Sequence, residues 1–286
     1  MPKSKIPWCG ETWNPAEGCW PCSPGCENCW AKGIVWRLAH NPKTSKTFRG
    51  LVVKNKDGKL SWTGKILRRP ELYDVPKARK KPTVFFVCSR TDLFLRCYFN
   101  FINDIYRVMA DCPQHTFIIL TKHPEEMAAY WRAKKQKILP NVFHYVTICN
   151  QAEADEKIPQ FLEIDCGFHG INIEPMLGPV DLRPWIADVD DVIVDSESGG
   201  WRRVFDIDLR PWTPAIDHVI VGCESGKHRR PCDIEWISAV VAQCVSLGIP
   251  VYVKQISDDV GQVVTNPKDY PEYWIGHRVL PWKVQR

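Results

Sequence analysis

Apolar residues recur along this chain in two alternating patterns. Short runs with little polar interruption, Thr83 to Val87, Thr116 to Leu120, Val142 to Ile148, Gly170 to Ile173, Ile216 to Val221 and Ile249 to Val253, read as buried strands. Between them the spacing turns helical: Leu95, Phe99, Ile102, Tyr106 and Met109 form one stripe, and Pro124 to Lys137, Glu153 to Leu162 and Ile234 to Val245 form others. Pro124 suits a first helical turn, where its missing N–H costs nothing. Strands apolar on both faces, each followed by a helix, predict a parallel sheet covered on its outside. The expected fold class is therefore α/β, an open or closed β/α barrel forming one domain over residues 1–286.

The first third of the chain reads differently. Residues 1–18 look like a short extended lead-in, and Cys9 within it a small buried side chain. Trp30, Ile34, Val35 and Leu38 recur at helical spacing, which predicts a helix to about His40. Asn41 to Asp57 is polar, and Asn55-Lys-Asp-Gly58 marks a turn before a strand-like Leu60 to Leu67. Near the other end Asp181-Leu-Arg-Pro-Trp185 returns as Asp208-Leu-Arg-Pro-Trp212, Val192-Ile-Val194 as Val219-Ile-Val221, and Glu197-Ser-Gly199 as Glu224-Ser-Gly226. Every match has an offset of 27 residues, so 180–206 and 207–233 are one tandem duplication, too few copies for a solenoid. The second copy leads into a helix and a final strand, so the first is expected to be an insertion.

Composition narrows the setting. Thirteen cysteines, an odd number, sit largely on apolar segments rather than in a disulfide framework. With no secretory leader and no apolar run near 18 residues, a reducing cytoplasm and no membrane association are expected. The net charge of +5 favours a polyanionic partner only weakly. Basic residues cluster at Lys77 to Lys81 and at Arg132 to Lys137, the second beside Tyr130 and Trp131, and read either as solvated surface or as a nucleic-acid footprint.

One stretch has its own chemistry. From Trp13 to Trp30 the chain places Cys19, Cys22, Cys26 and Cys29 within eleven residues, among Gly18, Pro21, Pro24 and Gly25, which exclude a regular helix. Structural zinc sites set two such cysteine pairs about 12 to 20 residues apart. Here three residues separate them. Cys22-x3-Cys26-x2-Cys29 is instead the spacing of loops that hold three irons of a [4Fe-4S] cluster and leave the fourth to S-adenosyl-L-methionine. Scattered histidines offer no i, i+4 pair for a zinc hydrolase.

Trp13-Asn-Pro15, Gly18-Cys19, Ser23-Pro-Gly-Cys26 and Asn28-Cys29 resemble the phage-encoded three-Cys-motif family, a radical-SAM-like group. The resemblance runs on through Val87 to Phe94, Leu120-Thr-Lys122, Ile173-Glu-Pro175, Leu177-Gly-Pro179, Val219 to Gly226 and Val253-Lys-Gln255. It implies a TIM-barrel-like radical-SAM domain, a phage or prophage setting inside a bacterial host, an external electron donor, and DNA or a modified nucleotide as substrate. Within what resembles this group are isomerases of thymidine hypermodification, which move a glycyl attachment from nitrogen to carbon. The family pattern matches Cys19, Cys26 and Cys29, whereas the general radical-SAM spacing matches Cys22, Cys26 and Cys29.

In such barrels the C-terminal strand ends face the site. That selects Ser89 and Asp92, Thr121 and Lys122, Asn150 and Gln151, Glu174, Glu224 and Ser225, and Lys254 and Gln255. Glu174, between Ile173 and Pro175, needs a partner, either the cofactor or Lys254. Ser89, Asp92, Thr121, Lys122, Glu174, Glu224 and Ser225 are candidates to bind S-adenosyl-L-methionine, and Asp92 is equally placed to cap a helix. Cys88, Glu174 and Lys254 are candidate catalytic groups, and Arg229 and Arg230 candidates for a substrate phosphate. Two alternatives stand beside the isomerase: a DNA-lesion lyase resembling spore photoproduct lyase, and a zinc-bound nucleic-acid module without catalysis.

Overall fold

The computed structural model describes residues 4, 6–95, 98–186, 216–226, 228–257, 262–266, 268, 270 and 280. The chain opens with two short strands, β1 (Glu11–Trp13) and β2 (Ala16–Glu17), then the cysteine loop, whose only regular piece is one 3-10 turn over Pro24–Cys26. A small lobe follows: helices α1 (Trp30–His40) and α2 (Ser45–Phe48), the antiparallel hairpin of β3 (Val52–Lys54) and β4 (Leu60–Trp62), and β5 (Leu67–Arg68), which pairs with β2. Val35, Phe48, Leu51 and Trp62 give this lobe its own core, against which Cys19 and Cys29 pack.

The main body then alternates β6 (Val84–Val87), α3 (Phe99–Ala110), β7 (Thr116–Thr121), α4 (Pro124–Lys134), β8 (Val142–Ile148), α5 (Gln151–Leu162), β9 (His169–Ile173), β10 (His218–Gly222), α6 (Ile234–Ser246), β11 (Val251–Ser257) and β12 (Val263–Val264). Its sheet has eight strands in the order β1-β6-β7-β8-β9-β10-β11-β12, all parallel except β12 at the edge. The protein is thus a mixed α/β domain, a mostly parallel sheet flanked by helices.

Both sheet faces are apolar, as the uninterrupted strand runs required. Phe85, Val87, Phe117, Ile119, Val219 and Val221 pack toward the helices, where Ile105 and Met109 of α3 are fully buried; each such side chain contributes about 1.5–3 kcal/mol. Phe86, Ile118, Tyr145, Ile220 and Tyr252 line the opposite face with Trp8. Gly170 is required there, because a Cβ would lie 2.3 Å from the Tyr145 ring. Further up this face toward the strand ends the side chains become polar, with Thr12, Thr147, Asn172 and Lys254 lining a cavity.

Several expectations need correcting. The lead-in holds the first strand of the sheet, β1, too short for any periodicity to register. Leu60 to Leu67 is two strands, split at Gly64, whose φ of +79° turns the chain. Leu95 precedes α3, and α4 stops at Lys134 because Lys135 takes a left-handed φ of 46°. Among the two basic groups, Lys77 pairs with Asp74 and Asp111 and Arg79 with Glu11, while Tyr130 and Trp131 are core residues and offer no stacking surface beside Arg132 to Lys137. Val219–Val221 of the second repeat copy lies in β10. The first copy from residue 187 onward lies outside the described residues. No described helix is long and apolar enough to cross a membrane.

Candidate functional site

The cysteine loop is folded over the strand ends and fastened on three sides. On the first, Arg90, just past β6, forms a bidentate ion pair with Glu17, whose side chain is 0% exposed. Beside it Asn14 Oδ1 accepts from Ser89 Oγ at 3.0 Å and from the Arg90 N–H at 3.2 Å. On the second, Glu224 accepts from Arg230 through both carboxylate oxygens, at 2.6 and 3.2 Å, and from Asn28 Nδ2 at 3.0 Å. Arg230 also reaches the Pro24 carbonyl at 3.0 Å and Glu27 at 3.3 Å. On the third, Gly25 sits against the Pro175 ring and Ser23 Oγ lies 3.9 Å from Cys149 Sγ. Behind Cys149 the buried Glu153 takes its N–H at 2.9 Å and pairs with Lys157.

Beneath the loop is a cavity of about 680 Å³, a size that suits a small-molecule ligand. Its walls hold all four loop cysteines and every candidate strand-end residue selected as catalytic or cofactor-binding: Cys88, Ser89, Asp92, Thr121, Lys122, Glu174, Glu224, Ser225 and Lys254. Gathering these from six separate segments follows from the parallel sheet, which brings the C-terminal ends of its strands to one side. A bulge between Val221 and Gly222 in β10 re-aims the residues that follow, Glu224 among them.

Lining the cavity does not give each residue the same freedom. Asp92 is occupied as a staple: Thr121 Oγ1 and the Lys122 N–H both donate to it at 2.8 Å, and the Phe94 N–H at 3.0 Å. It does not cap α3, which begins at Phe99. Glu224 and Arg230 are spent on each other and on the loop, so their place is in holding the cysteines rather than in meeting a ligand phosphate. Burial works to raise the Glu224 carboxyl, but Arg230 and Asn28 outweigh it and hold its pKa below the ordinary value. Its contribution to stability is therefore complete above the ordinary glutamate range and fades as pH falls through that lowered pKa; an acid unfolding curve of Glu224→Gln should lose this component. Asn150 caps α5, accepting from the Glu153 N–H at 3.0 Å, and Gln151 binds Asp181, so neither belongs to the site.

Glu174 and Lys254 do find each other across the cavity as an ion pair, with side chains 14% and 16% exposed. Cys88 is buried at a φ of 59°, and burial holds its thiol well above the usual range. Asn172 is a residue the sequence reading missed. It is 2% exposed, lines the cavity, gives its Nδ2 to Thr147 Oγ1 at 3.3 Å, and leaves Oδ1 with no partner. A buried acceptor left open is costly unless a ligand meets it. The signal was present: an asparagine between Ile171 and Ile173 in a core strand.

The loop thiols are free, and their electrostatics are distinctive. Cys22 and Cys26 share a hydrogen bond that raises the first and pulls the second down to about 5, helped by Lys122 against the effect of burial. Burial disfavours charge on Lys122, yet Cys26, Cys29, Cys22 and Asp92 together outweigh it and raise its pKa. Burial likewise lifts the Cys19 thiol, with Asp92, Cys29 and Cys26 adding to the effect. Among the described residues no three His, Cys, Asp or Glu side chains converge as a single metal ion requires; tetrahedral zinc would draw its sulfurs to about 3.8 Å from one another. Four thiols round one pocket with a lysine ammonium facing them suit a larger anionic group.

A family model described as a protein of unknown function (DUF5131) matches residues 3–270. No curated protein and no solved structure matches the chain.

Proposed function

The chain belongs to this family of unknown function, and we propose that it is a radical S-adenosyl-L-methionine enzyme whose sheet curls into an open β/α barrel around the cavity. One observation carries the reading: the closely spaced cysteines, the strand-end polar groups and the unpartnered Asn172 acceptor all face one space. A [4Fe-4S] cluster with one open iron, held by the loop cysteines, would supply one-electron reductive cleavage of S-adenosyl-L-methionine and so the chemistry for abstracting a substrate hydrogen.

The chain's own residues divide the remaining work. Cys19, Cys26 and Cys29 are the ligand set that fits best, because Cys19 and Cys29 pack together against the lobe core while Cys22 is exposed. Lys122 offsets the negative charge of the thiolates. Asn172 Oδ1, open in the cavity, would accept a hydrogen bond from the cofactor, and Glu174, paired with Lys254, would take its amino group or ribose hydroxyl. Cys88 stays a neutral thiol on the cavity wall. Loop residues Pro24, Glu27 and Asn28 keep their position through Arg230 and Glu224. Arg230→Ala should weaken iron retention about 10- to 100-fold in a chelator competition, as loss of an outer partner does. The substrate by this reading is a modified thymidine in DNA, with glycyl migration as the reaction and an external protein as electron donor.

The test is anaerobic incubation of reconstituted protein with S-adenosyl-L-methionine and dithionite. The reading expects 5'-deoxyadenosine and methionine in equal amounts. Intact S-adenosyl-L-methionine after many hours, from a protein that holds iron, would refute it.

A further inference from the structure

The lobe beside the cavity carries a charge that the proposed chemistry leaves unused. From Ala31 to Arg69 the sequence has eleven Lys and Arg against one Asp, a net +10, while the whole chain totals +5, so everything else nets −5. The positive charge lies on α1, α2, β3 and β5 and on the turns that connect the lobe's elements. Lys43, Lys46, Arg49, Lys54, Lys56 and Lys65 are exposed there. Apart from Lys59 with Glu27 and Arg69 with Glu71, none of the lobe's Lys and Arg side chains reaches a carboxylate among the described residues. Such a surface would release the counter-ions condensed on a polyanion by neutralising its phosphates.

Its shape adds aromatic faces. A groove of about 600 Å³ runs between α1, α2 and β3, lined by Trp36, His40, Arg49 and Lys54, with the Trp36 and His40 rings 4.1 Å apart. Helix α1 connects this groove to the cavity: Trp30, Ala31 and Ile34 wall the cavity, and Trp36, Ala39 and His40 wall the groove. Ten residues of helix rise span about 15 Å, a few nucleotides of an extended strand. At the cavity mouth two indoles are left exposed, Trp20 at 47% and Trp30 at 41%. Trp20 lies so close on Gly64, in the turn between β4 and β5, that a Cβ there would come within 2.2 Å of its ring. Cationic side chains interleaved with exposed rings are the chemistry that holds single-stranded nucleic acid, charge for the phosphates and stacking for the bases.

We propose that this lobe is the docking surface for the phosphodiester backbone of a single-stranded nucleic-acid segment, with one base led past Trp20 and Trp30 into the cavity. The last step rests on the enzyme reading above, since a base enters only where chemistry awaits it. The docking itself does not.

The experiment measures fluorescence anisotropy of a labelled oligothymidylate of about 20 nucleotides with anaerobically reconstituted protein, between 50 and 200 mM salt. Contact with about four phosphates should give a log K against log salt slope near −3. The combined Lys43→Glu, Lys46→Glu, Lys54→Glu and Lys56→Glu variant should weaken binding at least about tenfold and flatten that slope, with glutamine at the same positions intermediate. Trp20→Ala should cost about fivefold or more. The charge variant should keep its circular dichroism and its rate of S-adenosyl-L-methionine cleavage without substrate, which separates this surface from the cofactor site. Wild-type protein that cleaves S-adenosyl-L-methionine but binds no oligonucleotide would overturn the docking proposal and leave the enzyme reading standing. So would a charge variant that binds as tightly as wild type, including one that only slows reduction by an acidic electron-donor protein.

Discussion

Cys19→Ser should leave the chain without a cluster after anaerobic reconstitution, whereas Cys22→Ser should take up iron as wild type does. Both thiols line the same cavity, so proximity does not separate them. Their surroundings do. Cys19 and Cys29 are half-buried against the core of Val35, Phe48 and Trp62, whereas Cys22 is exposed. The apolar shell round a metal site limits solvent access, which favours the set with the less exposed thiol. The expected loss of 5'-deoxyadenosine formation in Cys19→Ser is more than about a hundredfold, beyond what an outer partner costs. Iron content and product formation in the two variants, side by side, check it. The reverse order of effects would assign Cys22-Cys26-Cys29 as the ligand set.

The second large effect is on stability. Arg90→Met should destabilise the protein by about 3–5 kcal/mol, because it strands the Glu17 carboxylate in the interior. Glu17 is 0% exposed and both of its oxygens are taken by Arg90, so the variant leaves a buried carboxylate without its partner. For a chain of this size the melting temperature should fall by roughly 10 °C. The double variant Glu17→Gln with Arg90→Met should recover much of that, since the unpaired charge, and not the missing attraction, dominates the cost. Because the pair ties β2 to the end of β6, the single variant should also lose iron faster. Thermal melts of the three proteins measure this directly.

The helices and the inner strands were legible because their hydrophobic periods are long and uninterrupted. Thr116 to Leu120 and Ile234 to Val245 could hardly be anything else, and the structure places β7 and α6 there. What the sequence hid was pairing across long separations. Glu224 and Asp92 looked like ligand-binding carboxylates because strand-end acids usually are exposed; only the fold shows that Arg230, Asn28, Thr121 and the Lys122 N–H already occupy them. Glu174 was the reverse case. An acid between an isoleucine and a proline demanded a partner, and Lys254 is 80 residues away in the chain and adjacent in space. The basic lobe was not legible because its eleven cations, Arg68-Arg69 apart, are spread singly rather than in runs, and only the folding of α1 to β5 brings most of them to one surface.

The most direct test of the central claim is Mössbauer spectroscopy of protein reconstituted with isotopically enriched iron, recorded before and after adding S-adenosyl-L-methionine. The account expects about four irons per chain as one cluster, with roughly a quarter of the signal shifting when the cofactor binds the open iron. Iron that does not respond to S-adenosyl-L-methionine, or a chain that takes up one zinc in its place, would contradict it.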